Sequence, residues 1–253
     1  MKKALVLAYG LVSYALFFGL FLYLIGFLAN AVVPVTIDGG EAQPFGLAIL
    51  VNGGLLLLFG LQHSVMARPG FKRVWTKIIP EEIERSTYIF ASCLALAPLI
   101  FLWVPMPSVL WDLSGGPFEM VAWGTYAFGW LFLLLSTFMI NHFDLFGLSQ
   151  VFNHARGVEP QPLKFSTRAI YKFSRHPIYV DWLIAIWATP VMTLGHMVFA
   201  AGLTLYILVA VPFEERDLVA EHGDTYRRYK DSTPMLIPRP GRKASAARVH
   251  EAA

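Results

Sequence analysis

The sequence predicts an all-α polytopic membrane protein of about six crossings: four transmembrane helices, then a C-terminal helical hairpin and a polar tail. Three observations lead there. Of 253 residues, 56% are hydrophobic and only 15% charged, against roughly 45–50% apolar and about 25% charged in a typical soluble domain. Uncharged apolar runs recur at lengths near the roughly 20 residues that cross a hydrocarbon core. All 20 Lys and Arg fall on one side once those runs are passed alternately through a bilayer. The same composition excludes a disordered chain, and a single cysteine, Cys93, excludes a disulfide scaffold or a Cys-rich metal module.

Residues 4–36 carry no charge and exceed the roughly 7–15 apolar residues of a signal peptide, so they read as the first helix. Ala29-Asn30-Ala31, after a basic Lys2-Lys3 start, imitates a cleavage site and leaves a cleaved signal as the lesser alternative. Runs at 45–66, 88–104 and 120–140 give the second to fourth helices. Two shorter runs, 178–194 and 197–213, are parted only by Gly195-His196, which predicts a tight hairpin turning there. Asp181 is the one charge inside the six runs.

Lys2 and Lys3, the loop between the second and third runs, the loop between the fourth and fifth, and the tail after residue 213 hold every basic residue. The opposite loops hold Asp38, Glu41, Asp112 and Glu119. An excess of Lys and Arg marks cytoplasmic loops, so both termini are expected in the cytoplasm. The net charge of +3 comes from loops that would meet anionic lipid. No nucleic-acid motif is present, and no obligate protein partner is evident. The whole chain reads as one integral membrane domain. Residues 1–140 form four helices, 141–177 a loop, 178–213 the hairpin, 214–241 a polar helix and tail, and 242–253 a disordered end.

Polar groups are costly at membrane depth, so function is sought where they gather. Gln62-His63-Ser64 ends the second run, and Asn141-His142-Phe143-Asp144 ends the fourth. Each also reads simply as a helix end or cap. Arg175-His176-Pro177-Ile178-Tyr179-Val180-Asp181 opens the hairpin, where Pro177 suits a first helical turn. Glu214-Glu215-Arg216-Asp217 closes it. A hairpin brings its ends together, so Arg175 and His176 are expected beside Glu214 and Glu215. Carboxylates at a helix C-terminus oppose the macrodipole, which points to a cationic partner. Asp181, one turn into a span, is a functional candidate by default. No His or Cys pair has ligand spacing, so no metal site is expected.

The series Arg175-His176-Pro177-Ile178-Tyr179, Glu214-Glu215-Arg216-Asp217-Leu218, Gly223-Asp224-Thr225-Tyr226-Arg227-Arg228-Tyr229 and Pro234-Met235-Leu236-Ile237-Pro238 resembles the C-terminal module of the isoprenylcysteine carboxyl methyltransferase and phospholipid methyltransferase superfamily. Gln62-His63-Ser64-Val65-Met66-Ala67-Arg68-Pro69, Glu84-Arg85-Ser86-Thr87-Tyr88 and Asn141-His142-Phe143-Asp144-Leu145-Phe146-Gly147-Leu148 resemble the bacterial methanethiol S-methyltransferases, a likeness that runs along nearly the whole chain. The resemblance implies a bacterial inner-membrane enzyme that methylates methanethiol to dimethyl sulfide with S-adenosyl-L-methionine, leaving S-adenosyl-L-homocysteine, with hydrogen sulfide as a poorer acceptor. It gives cofactor roles to Arg175, His176, Pro177, Tyr179, Glu214, Glu215, Tyr226 and Tyr229, the two last covering the adenine or bracing the tail. Asp181 departs from the superfamily, where Gly is common at that position.

Methyl transfer to a thiol needs a thiolate, and an alkyl thiol is mostly protonated at neutral pH. A general base is therefore required, and His suits the task. The candidates are His142 or Asp144, with Asp181 as rival and His63 behind them. Two other readings stay open: a prenylcysteine or phospholipid methyltransferase, and a haem-binding or proton-conducting protein using His63 and His142.

Overall fold

The computed structural model describes residues 2–159 and 169–237. Lys164, Arg168, Pro238 and the expected disordered end at 242–253 lie outside the described residues. Helix α1, Lys3–Ala29, runs through uncharged sequence until Asn30 takes a left-handed conformation (φ 53°), its N–H turning back to the carbonyls of Gly26 and Phe27. Helix α2, Phe45–Ala67, starts after Pro44 and stops at Arg68, whose extended backbone is what a following proline favours. A short helix α3, Pro69–Trp75, follows, and a 3-10 turn at Glu81–Ile83 leads into α4, Glu84–Phe101. After the strand β1, Val109–Asp112, Pro117 opens α5, Pro117–Ile140. Two short helices, α6 (His142–Leu145) and α7 (Leu148–Arg156), then fold back along the first turns of α1. Gly147 joins them at φ 85°, and a Cβ there would meet the Ser86 backbone nitrogen at 2.8 Å, so a glycine is needed for both reasons.

Helix α8, Pro177–Trp187, is only 11 residues long. The strand β2, Val191–Thr193, pairs antiparallel with β1, Val109 opposite Thr193 and Asp112 opposite Val191. Helix α9 then runs unbroken over 29 residues, Leu194–His222, and α10, Asp224–Ser232, closes the described chain. Five of these helices are long and apolar enough to cross a membrane: α1, α2, α4 with its leading turn, α5 and α9. The all-α polytopic architecture read from the sequence is the one observed.

The hairpin differs in its turn. It was expected at Gly195-His196, but both residues lie in the first turn of α9, where the Thr193 hydroxyl accepts from the His196 N–H at 3.1 Å. The first arm stops being helical at Trp187 because its continuation is held extended: Leu113 N–H reaches the Pro190 carbonyl (2.9 Å), and β2 takes the edge of β1. The second arm does not end at 213. It continues to His222, so Glu214 and Glu215 stand two turns inside a helix, away from the last turn where the macrodipole would oppose them.

Packing places the site. Helices α5 and α8 lie against each other so closely that a Cβ on Gly129 would sit 2.7 Å from the Ala185 nitrogen. Helix α4 packs on both α1 and α2, and α2 packs on α9. Between them is one apolar core that includes Leu24, Phe27, Leu99, Ile100, Trp130 and Phe199. Leu57, Leu61, Leu131 and Leu205 remain more than half exposed on the flanks, as helices solvated by lipid require.

Candidate functional site

Glu215 is the centre of the basic end. Its carboxylate is 4% exposed and accepts from Arg175 Nε at 2.7 Å, His176 Nε2 at 3.1 Å and Lys230 Nζ at 2.8 Å. Arg175 also donates to the carbonyls of Lys230 (2.8 Å) and Thr233. The backbone N–H groups of Arg175 and His176 reach the carbonyls of Pro234 and Met235 at 3.0 and 3.2 Å. One carboxylate of α9 thus ties together the entry to α8, helix α10 and the segment after it. Low-dielectric surroundings make each of these charge-assisted bonds stronger than a surface pair.

Glu214, one residue earlier, is in a different state. Its side chain is 39% exposed; Oε2 accepts from the Tyr179 hydroxyl at 2.8 Å, and His176 Nδ1 stands 3.9 Å from Oε1. Pro177 sits at the first position of α8, which fixes the direction in which His176 and Tyr179 leave the helix start. His176, Pro177, Tyr179, Glu214 and Glu215 are therefore brought together with Arg175. Tyr229 donates to the carbonyls of Tyr171 (2.6 Å) and Ser174 (3.3 Å), and the buried Tyr226 meets its ring edge-on at 5.8 Å. These are the contacts of a brace between α10 and the 171–174 segment. Burial pushes both phenols above their ordinary range.

The four candidates for thiol chemistry share no hydrogen-bond partner among the described residues. His142 is 2% exposed, between α5 and α1. The Thr137 hydroxyl gives its hydrogen to the Leu134 carbonyl at 2.6 Å, so toward His142 Nδ1 (2.7 Å) it can only accept. Nδ1 therefore carries the ring proton, and Nε2 accepts from the Tyr14 hydroxyl at 2.8 Å. Phe138 stacks on the ring with centroids 4.1 Å apart. Burial holds this imidazole below its ordinary pKa, hence neutral at pH 7. Beside it lies a cavity of about 20 Å³, lined by Phe17, Phe21, Leu133, Thr137, His142 and Phe146 among others.

Asp144 shares a segment with His142 but faces away: its N–H is capped by Asn141 Oδ1 at 3.3 Å, and its Oδ1 accepts from Gln150 Nε2 at 3.0 Å. Asp181 is buried between α8 and α5, where the Ser136 hydroxyl donates to it at 2.5 Å. His63 lies at the end of α2, with Nε2 2.9 Å from the Tyr88 hydroxyl and Nδ1 3.1 Å from Ser92 Oγ. Sequence reasoning missed Lys230, Tyr14, Thr137, Ser136, Tyr88 and Ser92. Lys230 was one basic residue among eight in the tail, and the hydroxyls lie within apolar helices, where spacing carries no signal.

No family model matches the chain, and no solved structure matches it. Curated proteins do. The chain is 48% identical over 242 residues to a methanethiol S-methyltransferase of Mycobacterium tuberculosis, covering 96% of this chain and 99% of that protein. It is 51% identical over 237 residues to methanethiol S-methyltransferase 2 of Bradyrhizobium diazoefficiens, covering 92% and 90%. Human Nurim is a more distant relative, 34% identical over 174 residues. Near-end-to-end identity of about one half, spanning the second-helix end, the fourth-helix end and the Arg175 to Tyr229 module alike, means that the chain belongs to the methanethiol S-methyltransferase family.

Proposed function

We propose that the protein methylates methanethiol to dimethyl sulfide, with S-adenosyl-L-methionine as methyl donor, at the basic, cytoplasmic end of a bacterial inner-membrane bundle. Hydrogen sulfide would be a poorer acceptor. The observation that carries the reading is the contrast between two neighbouring carboxylates. Glu215 is saturated by Arg175, His176 and Lys230, whereas Glu214 keeps an accessible oxygen beside Tyr179. An exposed carboxylate next to a phenol suits a ligand that carries hydroxyls and positive charge, and the donor set fits this cofactor. When bound, the cofactor supplies a methyl group on a positively charged sulfur.

The chain's own residues do the rest. Glu214 and Tyr179 would hold the ligand's polar groups. Arg175, His176 and Lys230, locked on Glu215, fix the wall on which it lies. Tyr226 and Tyr229 keep α10 closed over the 171–174 segment. The apolar interior behind this rim accepts a small thiol and strips its water, and charge is annihilated as the methyl moves, so a dry site favours the reaction.

The test is headspace detection of labelled dimethyl sulfide from detergent-solubilised protein given methanethiol and S-adenosyl-L-methionine labelled in the transferable methyl. Labelled product is expected. Its absence, in protein that binds S-adenosyl-L-homocysteine by calorimetry, refutes the acceptor and turns the search to prenylcysteine and lipid acceptors.

A further inference from the structure

Two histidines have the same local wiring, a tyrosine hydroxyl on Nε2 and a second hydroxyl on Nδ1: Tyr14, His142 and Thr137 in one case, Tyr88, His63 and Ser92 in the other. They differ in place. The His142 set belongs to α1, α5 and α6, and none of its hydrogen bonds touches α8 or α9. The His63 set stands against the stretch of α9 that leads to Glu214. Ser64 donates to the Tyr206 hydroxyl at 3.4 Å, Arg68 pairs with Asp217 at 2.9 Å, and the rings of His63 and Tyr206 are 6.4 Å apart. Those two ties bracket Glu214 along the helix. The Tyr88 ring in turn lies 5.1 Å from that of His63, so phenol, imidazole and Tyr206 form one continuous group.

The wiring also has a direction. Ser92 Oγ can accept from Nδ1–H of His63, which leaves Nε2 to accept from the Tyr88 hydroxyl at 2.9 Å, the shorter of that hydroxyl's two contacts with His63, the other being the backbone carbonyl at 3.3 Å. Gln62 Oε1 beside this set is buried with no hydrogen-bond partner among the described residues. A polar ligand atom in this corner would thus find an orphaned acceptor as well as the phenol.

Resting on the methyl-transfer reading above, we infer that the acceptor thiol loses its proton to the Tyr88–His63 pair and not to His142. The thiol S–H proton passes to Tyr88 Oη as the Tyr88 proton passes to His63 Nε2. The S–H electron pair stays on sulfur and forms the new S–CH3 bond, while the methyl's bond to the donor sulfur breaks with its pair returning to that sulfur. One proton remains on His63, steadied by Ser92, and leaves to solvent after turnover. Tyr88 touches the substrate, and His63 acts through it.

The experiment compares wild type with His63→Asn, Tyr88→Phe and His142→Gln, each first checked for S-adenosyl-L-homocysteine binding by calorimetry. Loss of a general base costs on the order of 10²-fold or more. His63→Asn and Tyr88→Phe are expected to lose about that much at pH 7 with methanethiol and to regain most of it by pH 10, where solvent supplies thiolate. Methaneselenol, a selenol already ionised at neutral pH, should be methylated by both variants at close to the wild-type rate.

A second readout needs no turnover. In protein loaded with S-adenosyl-L-homocysteine, adding methanethiol should shift the His63 ring resonance in histidine-labelled NMR spectra, and the shift should vanish in Tyr88→Phe. Equal loss toward thiol and selenol with no pH recovery would overturn the inference, as would transfer of the recovery pattern to His142→Gln. If wild type itself makes no labelled dimethyl sulfide, the functional reading fails first and this inference falls with it.

Discussion

Replacing Glu215 by Ala is expected to release helix α10 while leaving the bundle intact. The carboxylate has three donors, the cations Arg175 and Lys230 and the imidazole of His176, and their exposures set the magnitude. Arg175 and His176 are 9% and 5% exposed, so removing the counter-charge of Arg175 and the acceptor of His176 belongs with the breaking of a buried pair, about 3–5 kcal/mol. Lys230 is 47% exposed and returns to water, adding about 0–1 kcal/mol. Arg175 keeps the carbonyls of Lys230 and Thr233, which pulls the total to the lower end, about 3 kcal/mol. That is about a hundredfold in the docking equilibrium. Hydrogen exchange followed by mass spectrometry in detergent should show peptides from 224–237 exchanging about a hundredfold faster, with α1 and α5 unchanged. Glu215→Gln keeps the volume and one acceptor oxygen and should fall between. Exchange within threefold of wild type in Glu215→Ala would refute the reasoning, because the tail would then be held by something other than this ion cluster.

Gly129→Ala places a Cβ 2.7 Å from backbone of α8 that cannot swing aside. It should cost about 1–3 kcal/mol by overpacking, read as a lower thermal midpoint, and should reduce turnover by shifting Tyr179 and Asp181 with the helix. Tyr229→Phe deletes the donor to Tyr171 and Ser174; a loss of about 1 kcal/mol is expected, visible as faster exchange in 169–176. His142 gives a pH dependence. Its folded pKa lies below the unfolded value of about 6.5, so the unfolded chain binds the proton more readily. Stability is then complete above about pH 6.5 and falls on acidification through the folded pKa. Thermal midpoints at pH 5 and pH 7 should differ less in His142→Gln than in wild type, and an unchanged difference would show that other groups set the acid limb.

The pairing of Arg175 and His176 with Glu214 and Glu215 was legible in the sequence although the turn between them was misplaced, and lengths explain why. The 11 residues of α8 rise about 16 Å as helix, and residues 188–193 add about 20 Å as extended chain. Helix α9 descends about 30 Å between Leu194 and Glu214. The two arms cover similar heights, so any turn near residue 193 returns the chain to the same rim. Hydropathy cannot tell an apolar helix from apolar extended chain, and the cause of the extension, β1, lies some 80 residues earlier in a different loop. The placement of His63 and His142 was illegible for a related reason. What separates them is which helix each faces, and that is decided by contacts such as Ser64 with Tyr206 and Gly129 with Ala185, between helices whose own sequences carry almost no amphipathic signal. In lipid the flanks of a helix are as apolar as its core face, so the periodicity that orients a soluble helix is missing. A lone hydroxyl that receives a histidine proton then looks no different in sequence from one that merely bonds its own backbone, as Thr125 does with Val121.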